Sequence, residues 1–186
     1  MTAADRSGAQ AARTAFWCSF GYGAMKLDWA LGGAVLARQT PLPAAARAQL
    51  LDRAGNTVTE HWLSVALAVV GMAAALHLRG RFGPHGGVRR AVLLAGAWAG
   101  CAFMVARTVG LLGYGFAGDL WLLAGRASVP PAHLDLARTL ACWDLLLWSP
   151  YWLLFGLSWG FAARRYARRT APAPRTPTES GTRAGR

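Results

Sequence analysis

The chain has 186 residues, a length typical of one domain, and 54% of them are hydrophobic. Its long apolar runs have almost no polar face, which excludes an ordinary water-soluble helical domain. The net charge is +12, and most of the basic residues flank the apolar runs. That placement indicates a lipid bilayer with anionic headgroups as the partner and argues against nucleic-acid binding.

Four apolar runs, taken in chain order, predict four transmembrane helices. The first covers residues 15–37, and a helix of that length is roughly 34 Å long, enough to cross a hydrocarbon core of about 30 Å. The others cover about 58–78, 91–116 and 137–163. We therefore predict an all-α membrane protein with a four-helix bundle over residues 1–163. Residues 164–186 are expected to form a disordered basic tail.

The distribution of basic residues predicts the orientation of the four helices. The loop between the second and third helices and the C-terminal tail are strongly basic, whereas the other two loops are nearly balanced. The positive-inside rule then places both termini in the cytoplasm. Arginine-rich usage with a single lysine favours a bacterial origin, so we expect a multi-pass protein of the bacterial inner (plasma) membrane. The arginines expected at lipid headgroups are Arg79, Arg81, Arg89, Arg90, Arg164, Arg165, Arg168 and Arg169.

Four charged residues fall inside the apolar runs: Lys26, Asp28, Arg107 and Asp144. A charge at the centre of a bilayer costs on the order of 3 kcal/mol, so each of the four needs a partner. Lys26 and Asp28 point about 200° apart on one helix and cannot pair well with each other. Because two acids and two bases sum to zero, we predict one mutually neutralising cluster with Arg107 at its centre.

Small residues that permit close helix contact share the faces of Asp28 and Arg107. They are Gly21, Ala24 and Gly32 in the first helix, and Gly96 and Gly100 in the third. We predict that these two helices pack together and that Asp28 pairs with Arg107. A pair between Lys26 and Asp144 would complete the cluster.

Glu60 and His61 lie at the start of the second helix. They would extend the charge cluster toward water, or, in the interpretation we favour, Glu60 completes a capping box with Thr57 and His61 lies at headgroup level. Pro150 interrupts the fourth helix and frees a backbone carbonyl. The histidines and the three cysteines lack metal-ligand or disulfide spacing, so neither a metal nor a cofactor is expected.

The stretch from Gly21 to Gly33, with the segment Trp29-Ala30-Leu31-Gly32-Gly33, resembles a group of small actinobacterial integral membrane proteins of unknown function. The last helix, with Pro150-Tyr151-Trp152 and the later Arg164-Arg165-Tyr166, is similar in style to theirs. Asp28 stands where that group would have a tyrosine or a histidine. The resemblance implies four helices and implies no activity.

Two interpretations of the charge cluster remain open: it specifies the helix order, or it lines a polar cavity for a proton, an ion or a headgroup. Our leading prediction is a non-enzymatic accessory or regulatory subunit, acting as a homo-oligomer or with a partner membrane protein. The alternatives are a small proton- or ion-linked carrier and a membrane-embedded enzyme that acts on lipid. No nucleophile motif is present, so no catalytic residue is assigned.

Overall fold

The computed structural model describes residues 3–42, 44–80, 87–111 and 115–171, and these residues form helices and turns without a strand. The α-helices are α1 (Ala3–Leu31), α2 (Ala44–Leu51), α3 (Thr57–Leu78), α4 (Gly87–Val109), α5 (Phe116–Leu123), α6 (Pro131–Trp143) and α7 (Ser149–Arg169). A 3₁₀ turn, Ala37–Gln39, precedes α2, and a π-helical turn, Asp144–Trp148, joins α6 to α7.

Three helical stretches are long and apolar enough to cross a membrane: α3, α4 and the continuous run Pro131–Arg169. This agrees with the predicted all-α membrane protein. The helix α1 has sufficient length, with 29 residues, but Lys26 and Asp28 lower its mean hydropathy, and it does not belong to this set.

Several helix ends differ from the predicted ones. The helix α1 begins at Ala3, well before residue 15, and ends at Leu31 because Gly32 takes a φ of +101°. The helix α4 stops at Val109, before a second glycine with positive φ, Gly110. The last helix continues through Arg169, so the first six residues of the predicted tail are helical.

The capping box predicted at the start of α3 does not form. The hydroxyl of Thr57 donates a hydrogen bond to the carbonyl of Ala54 at 2.7 Å. In a capping box the hydroxyl of Thr57 would accept a hydrogen bond from the backbone N–H of Glu60. That N–H instead donates to the carbonyl of Asn56 at 2.9 Å. Thr57 is therefore the first residue of the helix, and it closes the preceding turn.

The four long helices pack in the order α3–α1–α7–α4. The helix α1 lies against α3 on one side and α7 on the other, and α4 lies against α7. The predicted packing of the first apolar run on the third is therefore wrong, since α7 separates α1 from α4. Facing patterns on single helices could not show which helix lies between two others.

The close contact between α4 and α7 depends on glycines of α7. A Cβ atom at Gly160 would lie 2.9 Å from the sulfur of Cys101, and one at Gly156 would lie 3.0 Å from the Cβ of Met104. The spacing of Gly156 and Gly160 is the small-xxx-small pattern that allows membrane helices to approach closely. The sequence contains this pattern, but our prediction assigned the contact to Gly96 and Gly100.

The glycines that were predicted to join α1 and α4 lie elsewhere. Nothing lies within 4 Å of a Cβ built at Gly21, Gly96 or Gly100. Gly96 and Gly100 line an apolar groove of about 580 Å³ between α3 and α4, whose floor is formed by α1 and α7. Between α1 and α3 the close approach is at Gly23, whose Cβ position is 2.8 Å from the Cβ of Ala68, and at Gly71, whose Cβ position is 3.0 Å from the hydroxyl oxygen of Ser19.

The two ends of the bundle differ in composition. One end carries the 3₁₀ turn, α2 and α5, which we call the cap. The opposite, basic end carries the predicted headgroup arginines, namely Arg79, Arg89, Arg90, Arg164, Arg165, Arg168 and Arg169; Arg81 lies outside the described residues. At the basic end Arg90 donates to the hydroxyl of Thr170 at 2.6 Å and to the carbonyl of Ala167 at 3.1 Å, which ties α4 to α7.

We expect Gly160→Ala to destabilise the protein by about 1–3 kcal/mol, because the new methyl group must displace Cys101 and part α7 from α4. The matched variant Gly100→Ala adds a methyl group in open space and replaces a poor helix former, so it should be neutral or stabilising by up to about 1 kcal/mol. Thermal unfolding of both variants in detergent measures the difference. Equal effects of the two substitutions would contradict the helix order.

Candidate functional site

A buried ion pair joins α4 to the connection between α6 and α7. Arg107, in the last turn of α4, donates through Nη1 to Oδ2 of Asp144 at 3.3 Å and through Nη2 to Oδ1 at 3.0 Å. The side chain of Asp144 is fully buried, and that of Arg107 is 14% exposed. Two parallel bonds from a guanidinium to a carboxylate form a strong and geometrically specific contact.

The π-helical turn presents Asp144 to α4. Pro150 has no N–H and cannot take part in a regular helix ladder. In the turn before it, the N–H of Ser149 donates to the carbonyl of Asp144, five residues back. The hydroxyl of Ser149 also lies 3.5 Å from Oδ2 of Asp144. Such turns recur at functional sites within α-helices, and here the turn brings a second donor to a buried carboxylate.

A second acid, Asp119, joins this pair from α5. Its side chain is 8% exposed. Burial, a hydrogen bond with Asp144 and the negative charge of Asp144 together raise the pKa of Asp119 from 3.8 to about 7, although Arg107 opposes the shift. Asp119 is therefore protonated at acidic pH and only partly ionised near pH 7.

Gly115 lets α5 fold back over the ion pair. Its φ is +131°, in the region that favours glycine. A Cβ atom there would collide with the carbonyl oxygen of Arg107 and lie 2.6 Å from that of Thr108. The chain can therefore turn directly over the last residues of α4, which brings Asp119 down onto Asp144.

Asp28 is not a partner of Arg107, so the predicted pair is wrong. Oδ2 of Asp28 accepts a hydrogen bond from the backbone N–H of Val35 at 3.0 Å. The carboxylate lies over Gly33, where any Cβ would collide with it. Asp28 therefore organises the turn that follows α1, and its charge is satisfied within the same segment of chain.

The segment from Trp29 to Gly33 forms the end of α1. The indole N–H of Trp29 donates to the carbonyl of Val35 at 2.7 Å. Gly32, with its positive φ, leaves room for the guanidinium of Arg53, which donates to the carbonyl of Ala30 at 3.0 Å. Helix ends need such glycines and donors, because their last carbonyls have no partner within the helix.

Lys26 belongs to a second polar group at the cap end. Its ammonium lies 4.3 Å from the centre of the Trp29 ring and 5.6 Å from that of Tyr22, both within the range of cation–π attraction. Glu60 and His61 are close enough to interact electrostatically with it. The predicted pair of Lys26 with Asp144 does not form, since that carboxylate is already bound to Arg107.

His61 points into the protein and not toward the headgroup level that our favoured interpretation gave it. It is 6% exposed, and its ring packs edge-to-face on Trp29 at 5.3 Å. Neither ring nitrogen has a hydrogen-bond partner among the described residues. The four charged residues therefore do not form one cluster. Arg107 binds Asp144, Lys26 lies over the ring of Trp29, and Asp28 accepts a hydrogen bond in the turn after α1.

Asp119 is not among the residues predicted from the sequence, because α5 lies in a loop between predicted spans. An acid within the apolar stretch Phe116–Leu123 was the available signal. In the described part of the chain, no three His, Cys, Asp or Glu side chains are grouped to hold a metal ion. Comparison of the chain with protein-family models, curated proteins and solved structures finds no significant match.

We expect Asp144→Leu and Arg107→Leu each to destabilise the protein by at least about 3 kcal/mol, because each leaves an uncompensated buried charge. The double variant should recover most of that loss, since it removes both charges. Thermal unfolding of the three variants in one detergent measures the coupling. Additive losses would show that the two side chains do not depend on each other.

The stability of the protein should fall as pH rises from about 4 to about 7. The raised pKa of Asp119 means that the folded protein holds a proton in this range which the unfolded chain has released, so rising pH favours unfolding. Asp119→Asn should flatten the dependence, and Asp135→Asn, on an exposed residue, should leave it unchanged. Melting temperatures at several pH values test this, and an equally steep slope in Asp119→Asn would refute the assignment.

Proposed function

We propose that this chain is a non-enzymatic accessory or regulatory subunit of the bacterial inner membrane. In this proposal α1 crosses the bilayer together with the three apolar stretches, and both termini lie in the cytoplasm. The concentration of arginines at the end opposite the cap supports this orientation through the positive-inside rule. The same arginines would contact anionic headgroups.

The observation that carries the proposal is that the intramembrane charges are satisfied within the protein. Arg107 and Asp144 bind each other, and Asp28 closes the turn after α1. Charges that are already paired specify which helices adjoin, whereas a transport path needs groups that bind and release an ion. This favours a structural role for the charges over a relay.

The interior toward the basic end also argues against a carrier. Tyr151, Phe155 and Trp159 follow Asp144 along α7, and the buried residues around them are mainly alanines and large apolar side chains. Among the described residues, the buried acids and the buried histidine all lie in the cap half, namely His61, Asp119 and Asp144. Among the described residues, a proton taken up by Asp119 would meet no further buried acid or histidine on the way to the other end.

An accessory subunit acts through association with another membrane protein. We expect gentle purification followed by native mass spectrometry to show a co-purified membrane protein or a defined number of copies of this chain. A bare monomer under conditions that preserve other membrane complexes would contradict the proposal.

The carrier alternative is tested with the purified protein in liposomes that enclose a pH-sensitive dye. We expect a proton leak no faster than that of protein-free liposomes, because the described interior lacks a polar route across it. Asp144→Leu/Arg107→Leu serves as the control, because it lacks both charges and its melting temperature shows whether the bundle is intact. Proton flux in the original protein that this double variant loses would replace the proposal with transport.

A further inference from the structure

A cavity of about 340 Å³ lies between the cap and α6. Its volume is at the lower end of the range for small-molecule sites, roughly 300–1,000 Å³. The walls come from the segment before α2, from α2 itself, and from α5, α6 and the loop between them. Most of the lining is apolar, with side chains such as Leu42, Leu122, Val129 and Leu140. Neither Arg107 nor Asp144 lines the cavity, but its lining includes Asp119, which interacts with Asp144.

Two polar groups that line the cavity are buried without a partner among the described residues. Oδ2 of Asp119 accepts no hydrogen bond, although the side chain is more than nine-tenths buried. The Nε–H of Arg47 has no acceptor either. A buried donor or acceptor left unpaired costs about 1–3 kcal/mol. The Nε–H of Arg47 therefore favours a ligand that brings a hydrogen-bond acceptor into the cavity.

The charges around the cavity favour an anion. The Nη2 atom of Arg47 donates to the carbonyls of Thr40 and Leu42, each at 3.4 Å. No acidic side chain of the described residues forms an ion pair with Arg47. Arg107 is paired with Asp144, and burial together with the neighbouring Asp144 raises the pKa of Asp119 to about 7, so Asp119 is only partly ionised at neutral pH. The other titratable residue of the lining, His133, is exposed. A cationic headgroup would meet an uncompensated arginine, whereas an anionic headgroup would neutralise it.

We propose that the cavity binds an amphiphile with a singly charged anionic headgroup. The headgroup accepts a hydrogen bond from Nε of Arg47, and the apolar part lies among Leu42, Leu122 and Leu140. The site does not depend on the accessory role, since it rests on the cap alone. A free fatty carboxylate and the phosphate of an anionic phospholipid share this chemistry, and the experiment separates them.

The test uses the full-length protein in nanodiscs of phosphatidylcholine, with radiolabelled decanoate as the probe. We expect saturable binding, displaced by unlabelled decanoate but not by decanol or dodecyltrimethylammonium at the same concentration. Nanodiscs that also contain phosphatidylglycerol identify the source. Loss of decanoate binding there assigns the site to the phospholipid, and unchanged binding assigns it to the free carboxylate.

Three variants make the test specific. Arg47→Gln should weaken decanoate binding about tenfold or more, because it removes the charge-assisted bond. Arg38→Gln is the matched control, since Arg38 lies in the neighbouring 3₁₀ turn but is exposed and outside the lining. Gly118→Phe should block the cavity without unfolding the protein, because nothing lies within 4 Å of a Cβ at Gly118.

The melting temperature of each variant shows whether it is folded. If Arg47→Gln unfolds the cap, Gly118→Phe decides the matter. Absence of decanoate binding in phosphatidylcholine nanodiscs would overturn the proposal. So would binding that persists in Gly118→Phe, or a folded Arg47→Gln that binds as tightly as the original protein.

Discussion

The contact between Arg107 and Asp144 is the interaction on which the rest of the structure depends. It is the polar link between α4 and the connection that leads into α7. Asp144 reaches α4 from a π-helical turn that directly precedes Pro150, and Asp119 can reach Asp144 because Gly115 folds α5 back over the end of α4. A proline and a glycine thus set the position of three charged groups, and those groups attach the cap to the long helices.

Much of the architecture could be predicted from the sequence, but the neighbours of each helix could not. Length and hydropathy identify α3, α4 and the last helical run. The energetic cost of placing a charge inside the bilayer identifies Arg107 and Asp144 as residues that need partners. The residues on one face of a helix show whether another helix can pack closely there. They do not show which helix does so. That is why glycines on α1 and α4 suggested a direct contact, while Gly156 and Gly160 place α7 beside α4.

The candidate sites were hard to predict for a related reason. Asp28 and Lys26 were expected to seek charged partners, yet one caps a turn through a backbone N–H and the other lies over an aromatic ring. Backbone N–H groups and aromatic rings occur throughout this sequence, so the spacing of charged residues does not indicate which of them will serve as partners. Asp119 and Arg47 meet at one cavity only after α2 and α5 have folded onto α6.

The central place of α7 has a consequence for biosynthesis. α4 has its extensive helix contact with α7 in the described part of the chain, and α1 with α3 and α7. Since α7 follows the other three long helices in the chain, a nascent chain that ends before it holds one finished hairpin, α1 with α3, and an α4 that lacks its main packing partner. Assembly of the four long helices therefore waits for α7, and quality-control proteases would meet α4 before it has packed.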